Sequence, residues 1–232
     1  MNILEMKNVS YSYYNNSHVV HAVRGMSFTF KRGRVYAAVG KSGSGKSTML
    51  SLLGGLDLPH KGYILFKGNP TSRMDLDEYR RTGAGVIYQN FKLFPLMTAL
   101  ENVMYPLELC GIKGEKAKTM AIDLCKKVSL PDAILNRFPG MLSGGEQQRV
   151  AIARALTMDR HVILADEPTG NLDSENGNNI IKILRKVAHE EDCCVIIATH
   201  DINIIEQTDE ILYIVDGQIK PAAEGHVGLI NG

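Results

Sequence analysis

Apolar and polar positions along the chain follow two alternating patterns. Short continuous apolar runs, at residues 35–39 (VYAAV), 162–165 (VILA) and 195–198 (VIIA), match strands buried on both faces of a parallel sheet. Between them, apolar residues recur at helical spacing over 48–53, 98–110, 115–128 and 150–156, the last opening near Ser143. A further helix follows Ser174, with Ile180, Ile183, Leu184, Val187 and Ala188 on one face. Ser174 is its expected N-cap. Pro106 predicts a kink or break within 98–110. Residues 1–30 differ: segments around 3–9 and 26–30, separated by the turn-rich YNNSH at 14–18, predict antiparallel edge strands. The expectation is one α/β domain over 1–232. Its core spans 1–89 and 160–232 and includes the antiparallel part; a helical insertion spans 90–159, punctuated by Gly111, Gly114 and Pro131.

Composition changes this picture little. The 232 residues carry 26 Lys and Arg against 25 Asp and Glu, so the net charge is +1. That argues against a broadly basic nucleic-acid binder and against an acidic disordered chain. With 44% hydrophobic and 22% charged residues the composition is that of a globular protein. Cys110, Cys125, Cys193 and Cys194 include no CxxC pair, which predicts a reducing compartment and thiols used as small apolar fillers. The apolar runs fall well short of the roughly 20 residues a membrane span needs, and the amino terminus has no signal-peptide pattern. The expectation is a soluble, intracellular protein that reaches a membrane through a partner.

Residues 40–47 read Gly-Lys-Ser-Gly-Ser-Gly-Lys-Ser, between a predicted strand and a predicted helix. Glycines let backbone N–H groups turn inward around phosphate oxygens, and the following helix start adds partial positive charge. Lys46 places a cation near the terminal phosphates, and the Ser47 hydroxyl suits Mg2+. Asp166 and Glu167 stand at the carboxyl end of the second buried run, where open α/β sheets bind ligands. Asp166 is the natural Mg2+ partner. Pro168 predicts an extended backbone at Glu167, turning its side chain away from Asp166 toward an attacking water. His200 follows the third buried run, within reach of a γ-phosphate, and Gln89 ends another apolar segment, placed to hold water or Mg2+. Residues 142–149 (LSGGEQQR) form a second anion site: Ser143 caps a helix, and Gly144 and Gly145 are expected to expose N–H groups. A single nucleotide does not obviously need two such helix ends in one chain. A head-to-tail dimer, with each nucleotide between sites of different chains, is the economical arrangement.

Taken together, GKSGSGKST, Gln89, LSGGEQQR, VILADEP, Asn171-Leu-Asp173 and His200 resemble, in order and spacing, the nucleotide-binding subunit of ABC transporters. The resemblance covers nearly the whole chain. It implies a P-loop NTPase core with a mostly parallel sheet, an N-terminal antiparallel β subdomain and an inserted helical subdomain. It implies ATP and Mg2+, with Tyr13 stacking on adenine and the phosphate loop Gly40, Ser42, Gly43, Ser44, Gly45, Lys46, Ser47 and Thr48 holding the phosphates. In the same mapping Gln89 is the Q-loop residue, and Ser47, Gln89 and Asp166 surround the metal. Glu167 is the catalytic base and His200 the switch histidine; Lys46 and Gln89 complete the catalytic set. Ser143, Gly144, Gly145, Glu146 and Asp173 act on the other subunit's ATP. Arg34 and Lys41 depart from common family choices without touching this chemistry.

Within the family, residues 98–107 and PTGNLDS resemble the group of lipoprotein-release, macrolide-export, cell-division and antimicrobial-peptide-resistance ATPases. That group implies a separately encoded permease, a second ATPase subunit and a peripheral place on the cytoplasmic face of the membrane, with export or extraction of a peptide, drug or lipid-linked substrate. Residues 91–96 either form a groove for a short permease helix or pack as core of the insertion. The chain stops soon after Lys220, so the C-terminal regulatory domain of sugar-importer relatives is not expected. The alternatives are a soluble ABC-type ATPase acting on ribosomes or nucleic acid, and a binding-only regulatory subunit. One phosphate loop, no heptad run and near-zero net charge count against the former.

Overall fold

The computed structural model describes residues 1–15, 18–158 and 160–221. Two sheets organise them. Strands β1 (Asn2–Asn15), β2 (His18–Lys31), β4 (Lys61–Phe66) and β5 (Asn69–Pro70) form a four-stranded antiparallel sheet in the order β2-β1-β4-β5. The second sheet has six strands: β3 (Val35–Val39), β6 (Ala84–Ile87), β7 (Val162–Asp166), β8 (Cys194–Thr199), β9 (Glu210–Val215) and β10 (Gln218–Lys220). Its order is β10-β9-β3-β8-β7-β6, with all neighbours parallel except the edge pair β10-β9. The sequence predicts two short edge strands in residues 1–30; β1 and β2 are instead long, and β1 lies inside its sheet between β2 and β4, so that of the two only β2 is at an edge, while residues 16–17 of the YNNSH segment lie outside the described residues.

The continuous apolar runs become the central strands because both faces of the second sheet are covered. Every residue of β3 and β8 is buried. Along β8, Val195 and Ile197 join one core while Cys194, Ile196 and Ala198 join the other. The first core lies under the helices α3 (Ala99–Leu109), α4 (Gly114–Lys127), α5 (Gly144–Ala155) and α6 (Ser174–Glu190). The second fills the space toward the antiparallel sheet and α1 (Lys46–Leu53). A short turn of helix, α2 (Leu76–Glu78), and α7 (Ile202–Ile205) complete the elements used below. Cys125, Cys193 and Cys194 are buried, and burial pushes the Cys125 and Cys193 thiols up to about 12. Among the described residues no helix is long and apolar enough to cross a membrane.

Two local expectations need correction. The N-cap of α6 is Asp173, not Ser174: its carboxylate accepts from the Asn176 N–H at 2.9 Å, which leaves Ser174 as the first helical residue. Pro106 does not break α3, which runs on to Leu109. A proline near a helix end removes one N–H, and here the apolar face of α3 stays seated on the core through Val103 and Leu107.

Asn102 is the polar anchor of the helical region. It is fully buried; its Oδ1 accepts from the Phe94 N–H at 2.8 Å, and its Nδ2 donates to the carbonyls of Phe94, Met97 and Thr98 at 2.9–3.1 Å. One side chain therefore ties residues 94–98 to α3. Asn102→Ala would strand these groups and is expected to destabilise the fold by roughly 2–3 kcal/mol. Urea unfolding checks the loss, and hydrogen exchange should show protection falling first at 94–98.

Glu101 and Glu146 close matching capping boxes at the starts of α3 and α5, reaching back to the backbone N–H groups of Thr98 and Ser143 at 2.7 Å. Those backbone bonds hold both carboxyls below their usual value of 4.5. A depressed folded-state pKa means the unfolded chain binds the proton more readily, so this stabilisation is present above 4.5 and is lost as pH falls through the depressed value. Glu101→Gln is expected to make the acid limb of the stability–pH curve shallower below about pH 5, as read from thermal midpoints across a pH series.

Candidate active site

The phosphate loop is shaped by what surrounds it. Gly45, the N-cap of α1, has φ 106°, and a Cβ there would lie 2.2 Å from the Ala22 carbonyl oxygen. Only glycine fits, so α1 has no side-chain cap and its first N–H groups remain for an anion. Lys46 folds back and donates from Nζ to the carbonyls of Gly40 at 2.7 Å and Lys41 at 2.9 Å. Burial lowers its pKa, opposed by the charges of Glu167 and Asp166. Gly43, at the crest, has open space where a side chain would stand. The buried Ser44 hydroxyl has no hydrogen-bond partner among the described residues.

The carboxylates arrive from β7. Asp166 ends that strand, and its Oδ1 accepts from the Ser47 hydroxyl at 3.1 Å. Burial raises the Asp166 pKa, and the Ser47 bond partly offsets this. The hydroxyl and carboxylate form an oxygen-only donor pair of the kind Mg2+ prefers. Among the described residues no group of three or more His, Cys, Asp or Glu is assembled to hold a metal. An ion between Ser47 and Asp166 would therefore depend on oxygens of the bound triphosphate and water.

Glu167 corrects the expectation of extended backbone. Its φ is 46°, in the left-handed region. The preference imposed by Pro168 is overridden by two hydrogen bonds: the Glu167 N–H donates to the Ala198 carbonyl at 2.9 Å, and its own carbonyl accepts from the Gly170 N–H at 3.1 Å. Such a conformation costs about 1–2 kcal/mol in a non-glycine residue. It places the Glu167 Oε1 2.9 Å from the His200 Nδ1, with the imidazole donating. The carboxylate is sheltered at 17% exposure while the imidazole is 68% exposed.

A cleft of about 690 Å3 collects these groups. Tyr13, Ser42, Gly43, Gly45, Lys46, Ser47, Thr48, Gln89, Asp166, Glu167 and His200 all line it; Gly40 and Ser44 are buried behind the loop. Tyr13 stands at the rim, half exposed, edge-on to Tyr11 at 5.1 Å, with its hydroxyl 3.3 Å from that of Thr48. Gln89 packs against Gly170 so closely that a Cβ there would lie 2.7 Å from the Gln89 Nε2.

The second glycine-rich motif is elsewhere. Ser143, Gly144, Gly145, Glu146 and Asp173 do not line this cleft. Ser143 caps α5, accepting from the Glu146 N–H at 3.3 Å. Gly145 is buried rather than exposed as expected: it packs on Asn176, whose amide donates to the Asp173 carboxylate at 2.7 Å. Asn171 ties this region back to the first site, donating to the Gln89 carbonyl at 2.9 Å and to Asn90 at 3.0 Å. Sequence reasoning missed Asn176. Its position three residues after Asp173 is the only signal, and it reads as an ordinary cap spacing.

The sequence model of the ABC transporter family matches residues 23–170. The chain belongs to the ABC transporter family. It is 40% identical over 224 residues to an uncharacterized ABC transporter ATP-binding protein, MJ0796, of Methanocaldococcus jannaschii, covering 94% of this chain and 95% of that one. It is likewise 40% identical to the macrolide export ATP-binding/permease protein MacB of Bartonella henselae, over 94% of this chain and 33% of that longer one. Among solved structures, the dimeric MJ0796 cassette bound to ADP and Pi superposes with TM-score 0.87 at 38% identity, covering 94% of this chain and 97% of that one. CbiO1 of Clostridium perfringens, part of the complex cbiONQ, gives 0.84 at 29% identity, covering 95% and 87%. This chain is an ABC ATPase, the ATP-binding cassette of a transporter, and Mg2+ accompanies its ATP.

Gly45→Ala in this ABC cassette drives a methyl group into the Ala22 carbonyl and opposes the left-handed φ. It is expected to displace the loop, weakening ATP binding at least tenfold and lowering the thermal midpoint. Titration with a fluorescent ATP analogue and a melting curve measure both.

Proposed function

We propose that two copies of this cassette close head to tail on two ATP molecules and drive a separately encoded membrane permease. The observation that carries this reading is the separation within one chain of two anion-binding helix starts: the loop at 40–48 lines the cleft, and Ser143–Glu146 does not. A triphosphate gripped by both needs a second chain. The dimeric assembly of MJ0796 supports the same arrangement.

In this reading each residue has a task. The N–H groups of the loop and the Lys46 ammonium hold the phosphates and offset charge building on the γ-phosphoryl group. Ser47, Asp166 and Gln89 would hold Mg2+, which supplies Lewis-acid neutralisation of phosphate oxygens when bound. Glu167 takes a proton from the attacking water as its oxygen bonds to the γ-phosphorus and the bond to the β-phosphate oxygen breaks. His200 holds the Glu167 carboxylate in place and reaches toward the γ-phosphate. Tyr13 stacks on adenine. Ser143, Gly144, Gly145 and Glu146, with Asp173 beside them, complete the partner's site; Glu146 acts by holding Ser143 in its cap.

Residues 90–159 serve as the helical unit that carries the second motif and meets the permease. Residues 91–96 include exposed Phe94 and Leu96, at 41% and 89%, which favours a docking edge over insertion core. The cassette sits peripherally on the cytoplasmic face of the membrane through that contact. The likeness to a macrolide export protein favours export or extraction of a peptide, drug or lipid-linked substrate.

Glu167→Gln removes the base but keeps the size and polarity of the side chain. Hydrolysis is expected to fall about 10^2- to 10^4-fold while ATP stays bound and the dimer accumulates. Phosphate release and light-scattering mass with ATP are the readouts. Turnover at the wild-type rate removes Glu167 as the base, and a mass that never doubles removes the dimer.

A further inference from the structure

The aromatic ring at the rim of the nucleotide cleft rests on others that lie outside it. Among the described residues, the ring neighbour of Tyr13 is Tyr11, edge-on at 5.1 Å and 78°. Tyr11 does not line the cleft. It is half-buried and packs on the core toward the antiparallel sheet, and its ring stacks on the His60 imidazole at 4.5 Å and 21°. Burial raises the pKa of the Tyr11 phenol, and the Asp57 carboxylate, to which the phenol donates, acts in the same direction. Tyr11 is thus held at its base by the core, on its ring by His60 and at its hydroxyl by Asp57.

His60 holds the strand as well as the ring. It is exposed and stands just before β4, where its N–H donates to the Ser10 carbonyl at 2.9 Å and its Nδ1 accepts from the Ser12 N–H at 3.3 Å. Ser12 is the residue between the two tyrosines. The pairing of β1 with β2 shifts register between Val9 and Tyr11 and again between Tyr11 and Ser12, and such irregularities disrupt the ladder locally. Over this stretch the bonds of His60 to Ser10 and Ser12 direct the path of β1. Tyr14 leans on the same imidazole at 5.8 Å. A half-exposed tyrosine without such support must give up rotamer freedom when a ligand stacks on it, which weakens binding; a ring set beforehand avoids that loss.

We infer that Tyr11 and His60 are positioning residues for the base of the nucleotide: they fix the Tyr13 ring in the attitude that receives adenine. This rests on the stacking reading of Tyr13 given above and adds what prepares that ring. Neither residue lines the cleft, so their effect reaches the nucleotide through Tyr13 and is confined to its base. A ligand with an aromatic base gains from the cluster, and a bare polyphosphate held by the same loop does not.

Calorimetry on the full chain, with ADP and with inorganic pyrophosphate in the presence of Mg2+, separates the base from the phosphates without turnover. Tyr11→Leu and His60→Ala are each expected to lower ADP affinity about threefold to tenfold, the worth of one aromatic pair, and to leave pyrophosphate affinity unchanged. His60→Phe keeps a ring for Tyr11 to stack on and should recover most of the ADP affinity. In a Tyr13→Ala background, His60→Ala should cost nothing more, because its effect passes through the missing ring. Equal losses for ADP and pyrophosphate, or full ADP affinity in Tyr11→Leu and His60→Ala while Tyr13→Ala weakens it, overturn the positioning role and leave the adenine stack intact. Full ADP affinity in Tyr13→Ala overturns the stack and this inference with it. If Tyr11→Leu does not fold, the exposed His60 and its two substitutions decide alone.

Discussion

Register at the carboxyl edge of the parallel sheet is the constraint on which the site depends. Val39, the residue before Gly40, pairs with Thr199, the residue before His200. Asp166 pairs with Ala198, and Ala165 with Ile87, two residues before Gln89. Parallel neighbours run about 4.8 Å apart, so the phosphate loop, both carboxylates, the histidine and the glutamine reach one edge at one level. A slip of one residue in any of these pairings would also carry its core residues to the wrong face. The apolar alternation that stabilises the sheet therefore also aligns the chemistry.

Left-handed backbone shapes two points where that edge meets the ligand space. Gly45 and Glu167 both take left-handed backbone, one because the Ala22 carbonyl leaves no room for a side chain, the other because hydrogen bonds to Ala198 and Gly170 impose it. The consequence differs. At Gly45 the strain-free glycine leaves a helix start open to anions. At Glu167 a carboxylate is turned into the hydrogen bond with His200, and the surrounding sheet holds it there.

The glycine-rich turn at α5 is connected to the hydrolytic cleft through short polar steps. Gly145 rests on Asn176, Asn176 is held by Asp173, and Asn171 reaches the backbone of Gln89. Gln89 in turn begins the segment whose Phe91 and Lys92 carbonyls accept from the Arg154 guanidinium at the end of α5. The proposed nucleotide, subunit and permease contacts thus share residues 89–92 and 171–176. A small displacement of Gln89 has packed neighbours on each side through which to act.

Much of this was legible along the chain because it is local. Buried strands announce themselves as continuous apolar runs, capping boxes as Thr or Ser followed by Glu at the third position, and the phosphate loop as glycines whose spacing serves backbone geometry. Residues 142–149 could be recognised as a helix start, and the need for a second chain could be argued from having two such starts. What the sequence could not show were features set by distant backbone. The left-handed turn of Glu167 depends on the Ala198 carbonyl, 31 positions away. The burial of Gly145 depends on Asn176. The hold of Arg154 on the carbonyls of Phe91 and Lys92 joins positions more than 60 residues apart. Local pattern is written in propensity and spacing; compensation of charge and backbone strain depends on which segments the fold brings together.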